Sequence, residues 1–248
     1  MKIISIFSKI IPEGSFKDTM RFPIYWFLNK LKFVKKELIL HKNIKGYFYF
    51  YPWEKLHEYE NIGDYFNYYL PKKGDIVIDA GSFIGQFTVA ASRLVGDKGK
   101  VIAIEPDPFN RTNLKKTIKA NKLHNVIIIS KGLSDKQNNI GWSVGGIVSK
   151  RGKSKIFTIK TTTLDNIFEK LKLKNVELIK MDIEGAEIEA MNGAKELLKH
   201  TKNLAIASYH IIKGKKTCFE IEKILKKSNF RVKTINIGQL ITFAGKER

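Results

Sequence analysis

The sequence predicts an α/β fold: a doubly wound, mostly parallel sheet of seven strands, one of them antiparallel, with a small N-terminal cap of helix and strand. Three observations predict it. From Gly74 onward, short runs rich in Val and Ile alternate with stretches of helical periodicity, the mark of βαβ units on a parallel sheet. The last two apolar runs have only Gly238 between them, which adds an antiparallel strand to that sheet. Residues 1–70 have another character, dense in aromatics, and are expected to form a cap or extension on a Rossmann-like domain over 71–248.

In the cap, Phe22 to Val34 reads as a basic amphipathic helix, interrupted by Pro23, Asn29, Lys30 and Lys32. The string GYFYFYPW reads as an edge strand stopped by Pro52. Trp26, Tyr47, Tyr49, Trp53, Tyr65, Phe66, Tyr68 and Tyr69 then build the cap and its core, stacking on bases or sugars being the alternative use.

The domain follows in order. Asp75–Ala80 is a buried strand and Gly85–Val95 a helix with Phe87, Val89, Ala90, Ala91 and Leu94 apolar. Lys100–Glu105 is the second strand, Asp107 to Asn121 a helix, and Asn125–Ser130 the third strand. Lys131 to Lys160 is irregular and glycine-rich, with a small ribbon. Leu164–Leu173 is a helix, Val176–Asp182 the fourth strand and Gly185–His200 a helix. Leu204–His210 is the fifth strand and Thr217–Ser228 a helix. Arg231–Ile237 and Gln239–Ala244 close the sheet.

Composition narrows the function. With 248 residues the chain can bury a sizeable core. Its single cysteine, Cys218, excludes an intrachain disulfide and a multi-cysteine zinc site. No run reaches the ~18 apolar residues of a membrane span, and the start MKIISIFSKIIPEGS lacks a small-residue cleavage site, so a cytoplasmic protein is expected, with peripheral membrane contact as the one membrane role left. The formal net charge is +21, of which residues 71–248 carry +17. Such a surplus suits an anionic partner, or a lysine-rich surface with no partner at all.

In sheets of this kind ligands bind at the carboxyl ends of the strands, near the reversal of strand order. The first such site is Asp79-Ala80-Gly81-Ser82-Phe83-Ile84-Gly85. Gly81 lets the backbone turn tightly, and Gly85 opens the helix. The loop is not a dinucleotide fingerprint: Phe83 stands where the middle glycine would be and would block a pyrophosphate, which disfavours a dehydrogenase. Asp79 suits a cationic ligand group, an amine or a sulfonium. Glu105 ends the second strand, where a carboxylate accepts hydrogen bonds from vicinal ribose hydroxyls. Pro106 stops that strand, and Asp107 caps the next helix. Together these residues point to an adenosine-containing ligand smaller than a dinucleotide, and S-adenosylmethionine fits. The third element, Lys180-Met181-Asp182-Ile183-Glu184-Gly185-Ala186-Glu187, gathers three carboxylates where the fourth strand gives way to a helix. They need solvent, a cation or a metal beside them, or else simply face a helix dipole.

The strings VIDAGSFIGQFT, AIEPDP, TTTLDNIF and LIKMDIEGAEIEAMNGA resemble the FkbM family of S-adenosylmethionine-dependent methyltransferases, within the class I, Rossmann-like superfamily. The likeness covers roughly residues 70–245. Two places depart from the family pattern: Ser82-Phe83-Ile84-Gly85 replaces an Asn-Ile-Gly type loop, and Ser208 precedes Tyr209-His210 where an acidic residue is frequent. The resemblance implies that Asp79, Gly81, Ser82, Phe83 and Gly85 hold the methionine part of the cofactor and Glu105 its ribose, with Asp107 alongside. It implies that Ser134 and Asp135 approach the adenine. Asp182 and Glu184 face the methyl group or the acceptor.

For the chemistry, methyl transfer to a hydroxyl is helped by a base. His210 is the expected base, being at a strand end and titrating near neutrality; Asp182 and Glu184 are its rivals. A divalent metal on Asp182 and Glu184 is not required by the spacing. The basic patches Lys150-Arg151-Lys153-Lys155 and Lys213-Lys215-Lys216 are expected at the rim, as holds for an anionic acceptor or as solvated loops. The leading expectation is an O-methyltransferase acting on a hydroxyl of a sugar, a glycan or a small molecule, the acceptor being of neutral or anionic type. An RNA methyltransferase and a non-catalytic Rossmann-like binding module are the alternatives.

Overall fold

The computed structural model describes residues 35–41, 44–50, 62–143, 146–147, 157–212 and 214–246. The elements run β1 Lys35–His41, β2 Ile44–Phe50, β3 Ile76–Ala80, α1 Gln86–Val95, β4 Lys100–Ile104, α2 Pro108–Ala120, β5 Val126–Ile129, β6 Gly132–Leu133, β7 Asn139–Ser143, β8 Gly146–Ile147, β9 Phe157–Thr162 and α3 Leu164–Lys170. Then come β10 Val176–Met181, α4 Glu187–Asn192, α5 Lys195–Lys199, β11 Thr201–Ala207, β12 Ile211–Ile212, β13 Lys215–Lys216, α6 Cys218–Lys227, β14 Arg231–Asn236 and β15 Leu240–Gly245.

The main sheet has seven strands in the order β14-β15-β11-β10-β3-β4-β5. β15 runs antiparallel to both its neighbours, and the remaining pairs are parallel. The expected architecture is therefore present, with its one antiparallel strand. Val77, Ile78, Val101, Ile102, Leu178 and Ile179 are buried, because a parallel strand covered on both faces must be apolar throughout. One face packs on Ile167, Met191, Leu197, Ile221 and Leu225 of α3 to α6. The other packs on Phe87, Ala91 and Val95 of α1, and on Tyr65. After β5 the chain crosses to the far side of β3, so the crevice at the switch point lies between the ends of β3, β4 and β10.

Local chemistry sets the boundaries. The Asp107 carboxylate accepts the N–H groups of Phe109 and Asn110 at 2.8 and 3.2 Å, and Pro108 opens α2. The helix expected over 185–200 is in fact two. Gly193 has the Ser134 carbonyl pressed where a Cβ would be. Asp165, on α3, caps the new helix by accepting the N–H groups of Glu196 and Leu197 at 2.9 and 2.7 Å. The fifth strand lies earlier than expected, at 201–207, and leaves Ser208–His210 beyond the sheet.

The stretch 131–160 is more ordered than a small ribbon. Its described part forms a four-stranded sheet, β6-β9-β7-β8. The GYFYFYPW strand is present as β2, paired with an unforeseen partner, β1, in an antiparallel hairpin. The helix expected over 22–34, Trp53 and the basic patch 150–155 lie outside the described residues. Residues 62–69 pack as part of the α/β domain: Tyr65 is buried, Phe66 stacks on Phe87 at 4.7 Å, and the Tyr69 hydroxyl donates to Asp75 at 2.6 Å. The expected cap boundary at 70 thus falls after chain that already belongs to the domain core. Among the described residues no helix is long and apolar enough to cross a membrane.

Candidate functional site

The crevice begins where β3 ends. Gly81 sits at φ +79°, and a Cβ there would run into the Asp182 carbonyl oxygen, so the loops after β3 and β10 are in backbone contact. The N–H groups of Gly81 and Ser82 both donate to the Ile104 carbonyl at 3.0 Å, and Ser82 Oγ donates to the Asp79 carbonyl at 2.8 Å. Phe83 is itself left-handed, at φ 49°, which points its N–H at Glu105 Oε2, 2.8 Å away. Gly85 answers to packing: a Cβ would come within 2.7 Å of Leu114 Cδ1 on α2.

Glu105 joins the loop to α2. Its second oxygen, Oε1, accepts the Asp107 N–H at 2.9 Å. Burial pushes the Glu105 carboxyl up to about 8, with the Asp107 charge adding to it and the Asp107 and Phe83 N–H groups pulling the other way. The Asn110 side chain also bonds this carboxyl, so of the four acceptor sites on its two oxygens one is left for a ribose hydroxyl.

Asp79 is placed otherwise than its expected contact with a ligand cation. Its carboxylate has no exposure and is turned beneath the loop. Oδ2 accepts the Thr88 hydroxyl at 2.6 Å, and Oδ1 lies 3.1 Å from Lys180 Nζ. The two residues are direct neighbours in the β3–β10 register. Lys180 also donates to the Gly81 carbonyl at 2.8 Å, and its ammonium lies 5.5 and 5.8 Å from the ring centres of Tyr65 and Phe87. A buried ion pair thus holds the glycine loop from below.

The second wall is the segment after β10. The Asp182 N–H donates to the Ala80 carbonyl at 3.0 Å, and its carboxylate is gripped by two phenols. Tyr65 donates to Oδ2 at 3.0 Å and Tyr209 to Oδ1 at 3.4 Å, while Gln239 Nε2 donates to the Tyr65 oxygen at 3.1 Å. Burial holds the Asp182 carboxyl above the ordinary carboxylate range; Lys180 opposes this, and Glu184 adds to it. Glu184 and Gly185 are both left-handed, at φ 57° and 97°. That tight turn wraps Glu187 Oε1, which accepts the N–H groups of Ile183 and Gly185 at 3.0 and 3.2 Å.

His210 reaches this cluster from the end of β11. Nδ1 lies 3.3 Å from Glu187 Oε1 and Nε2 3.8 Å from Glu184 Oε2. Burial disfavours its charged form, but Glu184, Glu187 and Asp182 outweigh burial and raise its pKa to about 10. Carboxylates so placed favour the charged form of the imidazole, which argues against His210 as the base. Donor atoms of Asp182, Glu187 and His210 lie within 4.8 Å of one another, a spacing that also suits a metal ion.

Most of the expected positions converge: Gly81, Ser82, Phe83, Glu105 and Asp107 on one wall, Asp182, Glu184 and His210 on the other. Ser134 and Asp135 stand at the α4–α5 break, with the Ser134 N–H on the Thr162 carbonyl at 3.1 Å. Sequence reasoning missed the parts played by Lys180, Tyr65 and Gln239. For Lys180 a signal existed, a charge inside the buried end LIKM of the run VELIKM.

The profile of the Methyltransferase FkbM domain matches residues 79–232. Hexuronic acid methyltransferase AglP of Haloferax volcanii is 28% identical over 145 residues, 56% of this chain and 57% of that protein. A probable cobalt-precorrin-6B C(15)-methyltransferase of Sulfurisphaera tokodaii is 50% identical over 52 residues, 21% of this chain and 27% of that protein. The chain therefore spans little more than half of one curated relative and about a quarter of the other. Among solved structures, methyltransferase FkbM from Methylobacillus flagellatus superposes with TM-score 0.54 at 19% identity, covering 71% of this chain and 44% of that one. Aeropyrum pernix fibrillarin, solved with natively bound S-adenosyl-L-methionine, gives TM-score 0.50 at 12% identity over 85% of this chain and 99% of that one. These two likenesses show the fold. The family profile covers more than half of the chain, from the end of β3 into β14, and with it the chain belongs to the FkbM family of S-adenosylmethionine-dependent methyltransferases.

Proposed function

We propose that this chain transfers a methyl group from S-adenosylmethionine to a hydroxyl of a sugar or glycan. The carrying observation is Asp182: a carboxylate at the switch-point crevice, oriented by two phenols and raised toward neutrality by burial. The donor set fits the cofactor, because Glu105 keeps an acceptor site for a ribose hydroxyl and Gly81 leaves the loop without a side chain. Glu105 would hold the ribose, the Gly81–Gly85 loop with Asp107 the neighbouring parts, and Ser134 with Asp135 the adenine side. When bound, the cofactor supplies a methyl carbon activated by a sulfonium.

The rest is done by the protein. The two walls align the acceptor oxygen with that carbon for in-line displacement. Asp182 receives the hydroxyl proton, which its raised pKa favours. Tyr65 and Tyr209 fix the carboxylate, and the His210 cation balances Glu184 and Glu187. The sugar acceptor is supported by the likeness to the hexuronic acid methyltransferase, which covers only part of either chain.

The test is incubation with methyl-labelled S-adenosylmethionine and, in separate vessels, a neutral glycoside, a hexuronic acid glycoside and RNA. Alkali-stable label on a sugar is expected. Label lost in mild alkali would mark a carboxyl ester and move the acceptor atom. Transfer to RNA alone, or to nothing, would favour the alternative readings.

Two outcomes probe the walls separately. Glu105→Ala should weaken cofactor binding about tenfold in calorimetry, the worth of a hydrogen bond to a neutral carboxyl. Unchanged affinity would remove Glu105 from the cofactor site. His210 makes a linkage prediction. Its folded pKa, about 10, exceeds the ordinary value of 6.5. The stability it contributes is fully present below pH 6.5 and is lost as pH rises toward 10. The melting temperature of the wild type should therefore fall toward that of His210→Gln across this window. A constant gap between the two would show that His210 is uncharged in the fold.

A further inference from the structure

A short finger stands at the rim of the crevice. The Thr217 N–H donates to the His210 carbonyl at 2.8 Å and the Cys218 N–H to the Ser208 carbonyl at 3.2 Å. These bonds pin the base of the β12–β13 hairpin to the end of β11. Opposite residues of an antiparallel pair share a face, so Ile212 goes with Lys215 and Ile211 with Lys216. The Ile212 face looks inward: its Cδ1 would be 3.9 Å from a Cβ on Gly185, in the acidic turn. The Ile211 face looks out.

Ile211 is 69% exposed and Phe219, in the first turn of α6, 71% exposed, the highest values among the large apolar side chains described. Lys215 and Lys216 are exposed between them in sequence. Single apolar residues on a surface are ordinary, but here the two most exposed fall within nine positions, with lysines between them in sequence, beside the mouth of a site.

We propose that this finger docks the protein on an anionic lipid surface, with Ile211 and Phe219 entering the headgroup–acyl boundary and Lys216, on the outward face, pairing with a headgroup. The charge is complementary locally and over the whole chain, at +21. Phe219 could serve a base or an acyl chain alike, but the aliphatic Ile211, equally exposed, gains only from apolar burial, which favours lipid over RNA. The finger springs from His210, so docking would bring an acceptor carried on a lipid to the wall that holds Asp182. Docking does not depend on the methyl-transfer reading, and it is measured without cofactor.

The experiment is co-sedimentation of the full chain with phosphatidylcholine vesicles and with vesicles of phosphatidylcholine and phosphatidylglycerol in equal parts. Binding to the mixed vesicles alone is expected. The double variant I211S/F219S should weaken it about tenfold or more. K216Q should weaken it about fivefold, at about 1 kcal/mol per lysine near the surface. K115Q/K119Q on α2 should leave it nearly unchanged. All these side chains lie at or near the surface, and circular dichroism checks the fold. Equal capture by neutral vesicles would overturn the proposal. So would wild-type binding by I211S/F219S, equal loss in the α2 variant, or capture of polyuridylate but not vesicles.

Discussion

Lys180→Met should lower the free energy of unfolding by about 3–5 kcal/mol, the cost of stripping one partner from a buried ion pair. Asp79 has no exposure, and the lysine side chain only 8%. Without the ammonium, the carboxylate keeps only the Thr88 hydroxyl, which cannot balance a charge in a low-dielectric site. The Gly81 carbonyl loses its donor too, so cofactor affinity should fall with stability. A denaturant double-mutant cycle checks the assignment. Adding Asp79→Asn to Lys180→Met removes the uncompensated charge and should restore much of the loss. A double variant no more stable than Lys180→Met alone would mean that the lysine acts through its stem and the Tyr65 and Phe87 rings, and not through the pair.

That pair marks the limit of what the sequence discloses. The strands were legible because burial on both faces demands unbroken apolar runs, and DIVIDA, KVIAIE and NVIIIS have them. Lys180, in the buried half of VELIKM, was visible as an anomaly. Its partner was not, because register between β3 and β10 is a property of the folded sheet. The α4–α5 break was hidden for the same reason: Gly193 yields to a chain crossing at Ser134, and the cap comes from Asp165, 31 and 32 residues before the groups it accepts.

In the site, strand ends are readable and their electrostatics are not. Asp182 and Glu105 follow from strand–loop punctuation. Tyr65, which orients Asp182, lies 117 residues earlier, and Gln239, which braces Tyr65, a further 174 away from it. Nothing local ties either to the acidic turn. His210, expected at the end of the fifth strand, lies just beyond it and against Glu187. Its charge state was set by Glu187, a residue that local pattern assigns to a helix N-terminus.

Asp182→Asn should lower kcat about 10²- to 10⁴-fold, the usual contribution of a positioned base, while cofactor affinity stays within a few-fold of wild type. The amide keeps the shape and can still accept from Tyr65, but it cannot take a proton at neutral pH. Equal loss in cofactor binding would instead make Asp182 a ligand of the sulfonium or amine. Tyr65→Phe separates positioning from folding. Its hydroxyl bond holds the Asp182 pKa down against burial. Removing it should move the acidic limb of the kcat profile to higher pH, because the carboxylate then ionises later. A residue of purely structural importance would lower activity at every pH and leave that limb in place. Asp182→Asn should abolish the limb, since the group that titrates is gone. If the limb survives in Asp182→Asn, another group receives the proton, and Glu184 at the mouth of the same turn is the one to replace next.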